Sequence, residues 1–287
     1  MDAKLQRRVQ RYGWDLAARD YEALWHAQLA DAQTALLDAA ALAPGERVLD
    51  VACGTGLVAF EAARAVGPTG RVLGIDLSGG MVDAARRHAI DRQAANVDFA
   101  RMDAEALALA DASVDVALCA LGLMYMPEPE RALREMRRVL RPGGRLVLAV
   151  WGERARCGWS AAFAIIDAEV ASDVCPLFFR LGARDALGRA CEEAGFAAIT
   201  QRRIPTTLRY ADTTQACNAA FIGGPFALAW SRFDAEVRAR ACARYVEAIA
   251  PWQHGAGYRV PGEFVIATAL VPASAHDSRF TPGSSQA

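Results

Sequence analysis

The chain has 287 residues, a hydrophobic fraction of 53% and a formal net charge of −1. That balance argues against a generic nucleic-acid or anionic-membrane surface, and the length suffices for one large domain or a domain with an insertion. No apolar run approaches the roughly 20 residues of a membrane span, and the amino terminus lacks the apolar core and cleavage site of a secretory signal. Seven cysteines (Cys53, Cys119, Cys157, Cys175, Cys191, Cys217 and Cys242) are odd in number and form no C-x-x-C pair. The expectation is a reduced, cytoplasmic protein without a disulfide framework or metal site.

Residues 1–40 read as helical. Leu5, Val9, Tyr12 and Leu16 recur at three- and four-residue steps, and so do Trp14, Ala17, Tyr21 and Leu24. This predicts an amphipathic helix or helix pair lying on the domain, with Gly13 as a candidate break. After the turn 43–46, Val48, Leu49 and Val51 form an apolar run of strand length. Gly54-Thr55-Gly56 then lets the backbone turn sharply and approach a ligand closely. Leu57 to Val66 follows as an alanine-rich helix whose first N–H groups face that turn. Residues 71–75 are the next buried strand, and Asp76 stands at its carboxyl end, where doubly wound sheets bind ligands.

A carboxylate about twenty residues beyond such a turn can accept hydrogen bonds from both hydroxyls of a ribose. Asp50, just before the glycines, suits a ligand with a positive group, and the helix N-terminus can receive a carboxylate. Ribose, ammonium and carboxylate together describe S-adenosylmethionine. Indeed Leu49-Asp50-Val51-Ala52-Cys53-Gly54-Thr55-Gly56, followed by Gly74-Ile75-Asp76-Leu77-Ser78, resembles the class I S-adenosylmethionine-dependent methyltransferases. The branch it looks most like is the ubiquinone/menaquinone-biosynthesis type of small-molecule methyltransferase. The resemblance is good over residues 48–150 and loose in the flanks. A nicotinamide-binding unit is the competing reading of Gly54-x-Gly56-x-x-Ala59, but that pattern leaves Asp50 without a role.

The resemblance implies that the N-terminal helical segment caps the site, with Tyr21 touching the methionine end of the cofactor. It also places Ala52, Leu77 and Cys119 around the cofactor. Ser78 is a plausible N-cap for a helix from Gly79 to Arg92, with Met81 in its first turn able to cover an adenine face. Residues 96–101 alternate as a third strand. Asp103 can then accept from the adenine amine while the N–H of Ala104 donates to a ring nitrogen. Residues 113–120 form a fourth strand, followed by Leu123 to Met126, which border the reaction pocket, Tyr125 among them. Pro127-Glu128-Pro129 opens a helix through Leu140, and Arg141-Pro142-Gly143-Gly144 turns into a fifth strand, 145–151.

Beyond Trp151 the expectation is helices over 157–172 and 185–194, a sixth strand over 196–204, an inserted helical segment over 212–250 and a last strand over 263–271. The predicted fold is α/β: a Rossmann-like, seven-stranded, mostly parallel sheet whose last strand runs antiparallel. Its parts are an N-terminal helical cap (1–43), a cofactor-binding core (44–152), the rest of the core with helical lid insertions (153–271) and a flexible tail (272–287). An aromatic-rich lid, with Trp151 and Trp159 beside Tyr125, fits an apolar or aromatic small-molecule acceptor. His26, His254 and Glu153 are the candidates for a base. The functional expectation is O- or C-methylation of a small hydrophobic metabolite. The rivals are a cofactor-retaining, pericyclic-type protein, a metalloid methyltransferase and a nicotinamide oxidoreductase. The sequence leaves the oligomeric state open, a homodimer included.

Overall fold

A computed structural model describes residues 3–170 and 177–273. Its sheet comprises β1 (Arg47–Val51), β2 (Arg71–Asp76), β3 (Val97–Arg101), β4 (Val114–Ala120), β5 (Leu140–Trp151), β6 (Ala197–Tyr210), β7 (Gln253–His254) and β8 (Gly257–Leu270). The order is β3-β2-β1-β4-β5-β8-β6, and the two-residue β7 pairs with β8 beside this seven-strand path. The contacts from β3 through β5 are parallel, while β8 runs antiparallel to both β5 and β6. The predicted fold class is therefore the one observed. From β1 the chain winds outward to β2 and β3, then returns to β4 and winds the other way. Right-handed crossovers accordingly put α3 (Leu57–Val66) and α4 (Gly79–Asp91) on one face and α5 (Pro129–Val139) on the other. The reversal between β1 and β4 opens a crevice at the carboxyl ends of the strands.

Local chemistry explains the boundaries. Ser78 Oγ accepts from Met81 N at 3.1 Å, capping α4 as its sequence predicts. Arg138, in the last turn of α5, bonds the carbonyls of Leu107 and Leu109, stitching that helix to the preceding loop. β5 begins at Leu140 rather than after the Pro142-Gly143-Gly144 turn. Those residues bulge out of the β4 register between Leu140 and Arg145, and Gly143 N bonds back to Val271 O. β6 runs past Pro205 to Tyr210, six residues beyond the expected end. Pro205 is tolerated because β6 is the sheet's edge, where one side of the strand has no ladder partner to satisfy.

The N-terminal segment departs most from expectation. It forms α1 (Ala3–Ala17) and α2 (Tyr21–Ala40), and the break falls at 18–20; Gly13 lies inside α1, against Leu228 and Pro225. Only α1 caps the strand ends. The second helix buries Trp25, Leu29, Leu36 and Ala40 in the main core. The stripe of Trp14, Ala17 and Tyr21 packs inward, as expected, but Leu5, Tyr12 and Leu16 point to solvent while Gln6 and Gln10 are buried. On that inner face Arg7 and Gln10 line the crevice together with Trp14, and Arg7 meets Glu105 and Glu128 there.

In the C-terminal half, α6 (Ala161–Val170) is preceded by 3-10 turns at 154–156 and 158–160, and its predicted end at 172 lies outside the described residues. Then come α7 (Ala186–Glu193) and the inserted α8 (Thr213–Phe221), α9 (Ala227–Arg232) and α10 (Ala235–Ile249). Of the predicted tail, residues 274–287 also lie outside the described residues.

Candidate active site

A cavity of about 100 Å³ occupies the crevice. Its floor is built from the carboxyl ends of four neighbouring strands: Ala52 and Gly54 after β1, Asp76 and Leu77 at β2, Met102 to Glu105 after β3, and Ala120 to Gly122 after β4. Met81 of α4, Tyr21 of α2, Ile75 of β2, Tyr125, Met126 and Pro127, and Arg7, Gln10 and Trp14 of α1 complete the lining. Two of the lining residues, Ala52 (φ 56°) and Leu121 (φ 62°), hold left-handed backbone without being glycine. Such strain collects at ligand sites, because the surrounding fold has to enforce it.

Asp76 is the hub. Its Oδ2 accepts from Gly54 N at 2.9 Å and its Oδ1 from Ser78 N at 2.8 Å, so one carboxylate holds the glycine turn against the start of α4. Burial raises its pKa to about 6, against the lowering pull of those N–H donors. Asp50 lies beneath the turn and does not line the cavity. It is 1% exposed, and neither carboxyl oxygen has a hydrogen-bond partner. Burial, and then the neighbouring Asp76, push its pKa up to about 8. The phenol of Tyr21 is driven well above its ordinary value, first by burial and next by Asp76.

Of the other predicted cofactor residues, Tyr21, Ala52, Gly54, Leu77, Met81, Asp103 and Ala104 all line the cavity with Asp76. Gly56 and Cys119 do not. Gly56 supports the turn from behind, and Cys119 is fully buried within β4, one residue short of the cavity floor. Asp103 Oδ1 accepts from Glu105 N at 2.9 Å. Arg7, which no sequence signal singles out, reaches across from α1 to Glu105 (2.7 Å) and Glu128 (2.6 Å), with Asp103 at 3.7 Å. At the other end of α1, Asp15 Oδ1 accepts from Ser78 Oγ (2.6 Å) and Gly80 N (3.0 Å).

The three candidate bases lie elsewhere. His26 is exposed in an outer groove with Glu61 and Arg64. His254 is exposed on β7. Glu153 pairs with Arg156 and Arg203 and accepts from Arg184 N. Each has solvent or a cation as its neighbour, and none lines the cavity. Trp151 and Trp159 line a second, smaller cavity of about 30 Å³ together with Trp25, Leu29 and Met124. Trp14, Tyr21, Leu121 and Tyr125 line both cavities and so form the partition between them. Leu123 is buried and lines neither.

Residues 48–144, which span β1 to the start of β5, match the family model described as a methyltransferase domain. This chain carries a class I S-adenosylmethionine-dependent methyltransferase domain. The domain is 40% identical over 113 residues to the ubiquinone/menaquinone biosynthesis C-methyltransferase UbiE of Hahella chejuensis, covering 39% of this chain and 45% of that protein. It is 41% identical over 110 residues to the arsenite methyltransferase of Halobacterium salinarum, covering 38% of this chain and 28% of that one. The matched stretch thus spans less than half of either relative. Among solved structures, the (4+2)-cyclase SpnF superposes with a TM-score of 0.54 at 25% identity, over 84% of this chain and 80% of that one.

S-adenosylmethionine is the cofactor of such a domain, and the residues present fit it. Two carboxyls, the buried Asp50 and the part-exposed Asp76, lie at a glycine turn that opens onto a cavity. With the pKa of Asp76 raised to about 6, cofactor affinity is expected to fall in acid, because the ionised carboxylate is a stronger acceptor for hydroxyl donors than the protonated acid. Affinity should be at its plateau from roughly a unit above that value and decline as the pH passes below it. Calorimetry with S-adenosylhomocysteine from about pH 5 to about pH 8 checks this; weaker binding at the alkaline end would contradict it.

Proposed function

We propose that this protein transfers a methyl group from S-adenosylmethionine to an oxygen or carbon atom of a small hydrophobic or aromatic metabolite. The observation that carries the reading is a pair of adjoining cavities, one with Asp76, Asp103 and Glu105 among its lining residues and one walled mainly by aromatic and aliphatic side chains, sharing Trp14, Tyr21, Leu121 and Tyr125 as a common wall. When bound, the cofactor supplies an electrophilic methyl carbon activated by a sulfonium. Asp76 would hold the ribose hydroxyls, Asp103 and Ala104 the adenine edge, and Met81 an adenine face. Tyr21 and Tyr125 stand where the two ligands meet.

Among the described residues the second cavity is lined by aromatic and aliphatic side chains together with Ala220, Gly224 and Pro225, and by no carboxylate or imidazole. Such a wall favours an acceptor that enters already ionised, such as a phenolate or an enolate, having left its proton in solvent. It also excludes water and aligns the reactants, which supplies much of the acceleration for a displacement that consumes charge. Among the described residues no three of His, Cys, Asp and Glu gather as a metal site, so these residues lend the metalloid reading no support. Cys175 lies outside the described residues.

Incubation with methyl-labelled donor and a panel of phenols, quinol precursors and carboxylates is expected to give a labelled small-molecule product. Label found only in RNA or protein would overturn the reading. The likeness to a (4+2)-cyclase keeps a second reading in play: consumption of an acceptor without a methylated product would support it.

A further inference from the structure

The second cavity contains a polar feature that a greasy pocket does not need. Its wall includes Trp25 (6% exposed) and Trp159 (3% exposed), and the indole Nε1 of each is buried without a hydrogen-bond partner. Around them the fold fills space with rings that have no such donor: Phe163, Phe178 and Phe179 all pack on Trp159. A buried N–H left without an acceptor destabilises the fold, and phenylalanine in either place would avoid that. The Trp25 nitrogen also faces a thinned wall. A Cβ on Gly223 or Gly224 would come within 3.1 or 3.7 Å of it, and Gly224 lines the cavity.

We propose that Trp25 and Trp159 are specificity-determining donors, whose indole N–H groups recognise an oxygen acceptor on an otherwise apolar, ring-sized methyl acceptor. The inference rests on the methyl-transfer reading above and narrows its substrate class to aryl ketones, quinones and enolisable carbonyl compounds. Both N–H groups can only donate, so the matching ligand atom is a lone-pair oxygen and not an ammonium or amide N–H. At about 30 Å³ the cavity is smaller than one aromatic ring, so entry displaces part of its wall. The wall includes Trp14 of α1 and, beyond the end of α8, Gly224 and Pro225, neither of which belongs to a strand.

The test uses two probes of equal size that differ by one carbonyl, 1-tetralone and tetralin, bound to the full chain saturated with S-adenosylhomocysteine. Wild type is expected to bind the ketone about tenfold more tightly than the hydrocarbon, one good hydrogen bond's worth. Trp25→Phe and Trp159→Phe should each reduce that ratio severalfold, and S-adenosylhomocysteine binding, whose cavity neither residue lines, should be unchanged, which also certifies folding. Gly224→Ala keeps both indoles, sets a methyl beside the Trp25 nitrogen and should likewise lower the ratio. Equal affinity for the two probes, binding of neither, or a ratio unmoved in all three variants would overturn the proposal. The last result would mean that neighbouring ring faces already satisfy the two N–H groups. All these outcomes leave the cofactor reading standing, whereas wild type that fails to bind S-adenosylhomocysteine would remove both.

Discussion

Asp76→Ala should weaken S-adenosylhomocysteine binding by roughly ten- to a hundredfold, read as a rise in Kd by calorimetry. Hydrogen bonds to a charged acceptor contribute about 1.5–3 kcal/mol each, and tenfold in Kd corresponds to about 1.4 kcal/mol. The carboxylate does more than meet a ribose. It also fixes Gly54 N and Ser78 N, so its loss frees the glycine turn and the first turn of α4 together. Asp76→Asn keeps the shape and one acceptor oxygen and should fall between wild type and alanine. If Kd were unchanged in Asp76→Ala, the ribose would have to be bound elsewhere.

Gly56→Ala is expected to be the most damaging small change in the turn. Two costs add. At φ +94° an L-residue is strained by about 1–2 kcal/mol. The new Cβ would also stand 2.8 Å from Phe60 and 2.9 Å from Phe99, and overpacking of that kind costs about 1–3 kcal/mol. Those rings already pack edge to face at 5.4 Å between centroids, so neither has free space to retreat into. The sum, about 2–5 kcal/mol, corresponds to a fall in Tm of roughly 4–20 °C for a domain of this size. A thermal melt checks it, and an unchanged Tm would show that Phe60 or Phe99 can move without cost.

The core of the fold is legible in the sequence because its signals are local. The glycine turn, the alanine-rich α3, the Ser78 cap and the short apolar strands each follow from residue type and period within a few positions. Asp76, Asp103 and Met81 are readable for the same reason: they come at or just after strand ends, where the chain must turn toward the crevice. Asp50 and Cys119, expected beside the cofactor, lie one or two residues before the strand-end residues that line the cavity. Side chains within a strand address the helix layers, and only the residues at its carboxyl end and in the adjoining loop address the cavity. The N-terminal helix misleads for a different physical reason. Periodicity shows that a helix has two faces but does not show which one the protein covers, and here the covered face carries Arg7, whose partners are Glu105 and Glu128. Arg7 cannot be found by spacing at all, since its partners lie about a hundred residues away. The three candidate bases rest on residue type alone, and in the fold each already has solvent or a cation to answer to.

The covering over the crevice is held by two kinds of force. Arg7 among Glu105, Glu128 and Asp103 fastens α1 near its start and Asp15 near its end, while Trp14 between them packs against Tyr21 and Tyr125. Dissolved ions screen the part-exposed charges at Arg7 but not the ring contacts, so added salt should loosen the first turns of α1 before the rest, seen as faster amide exchange there.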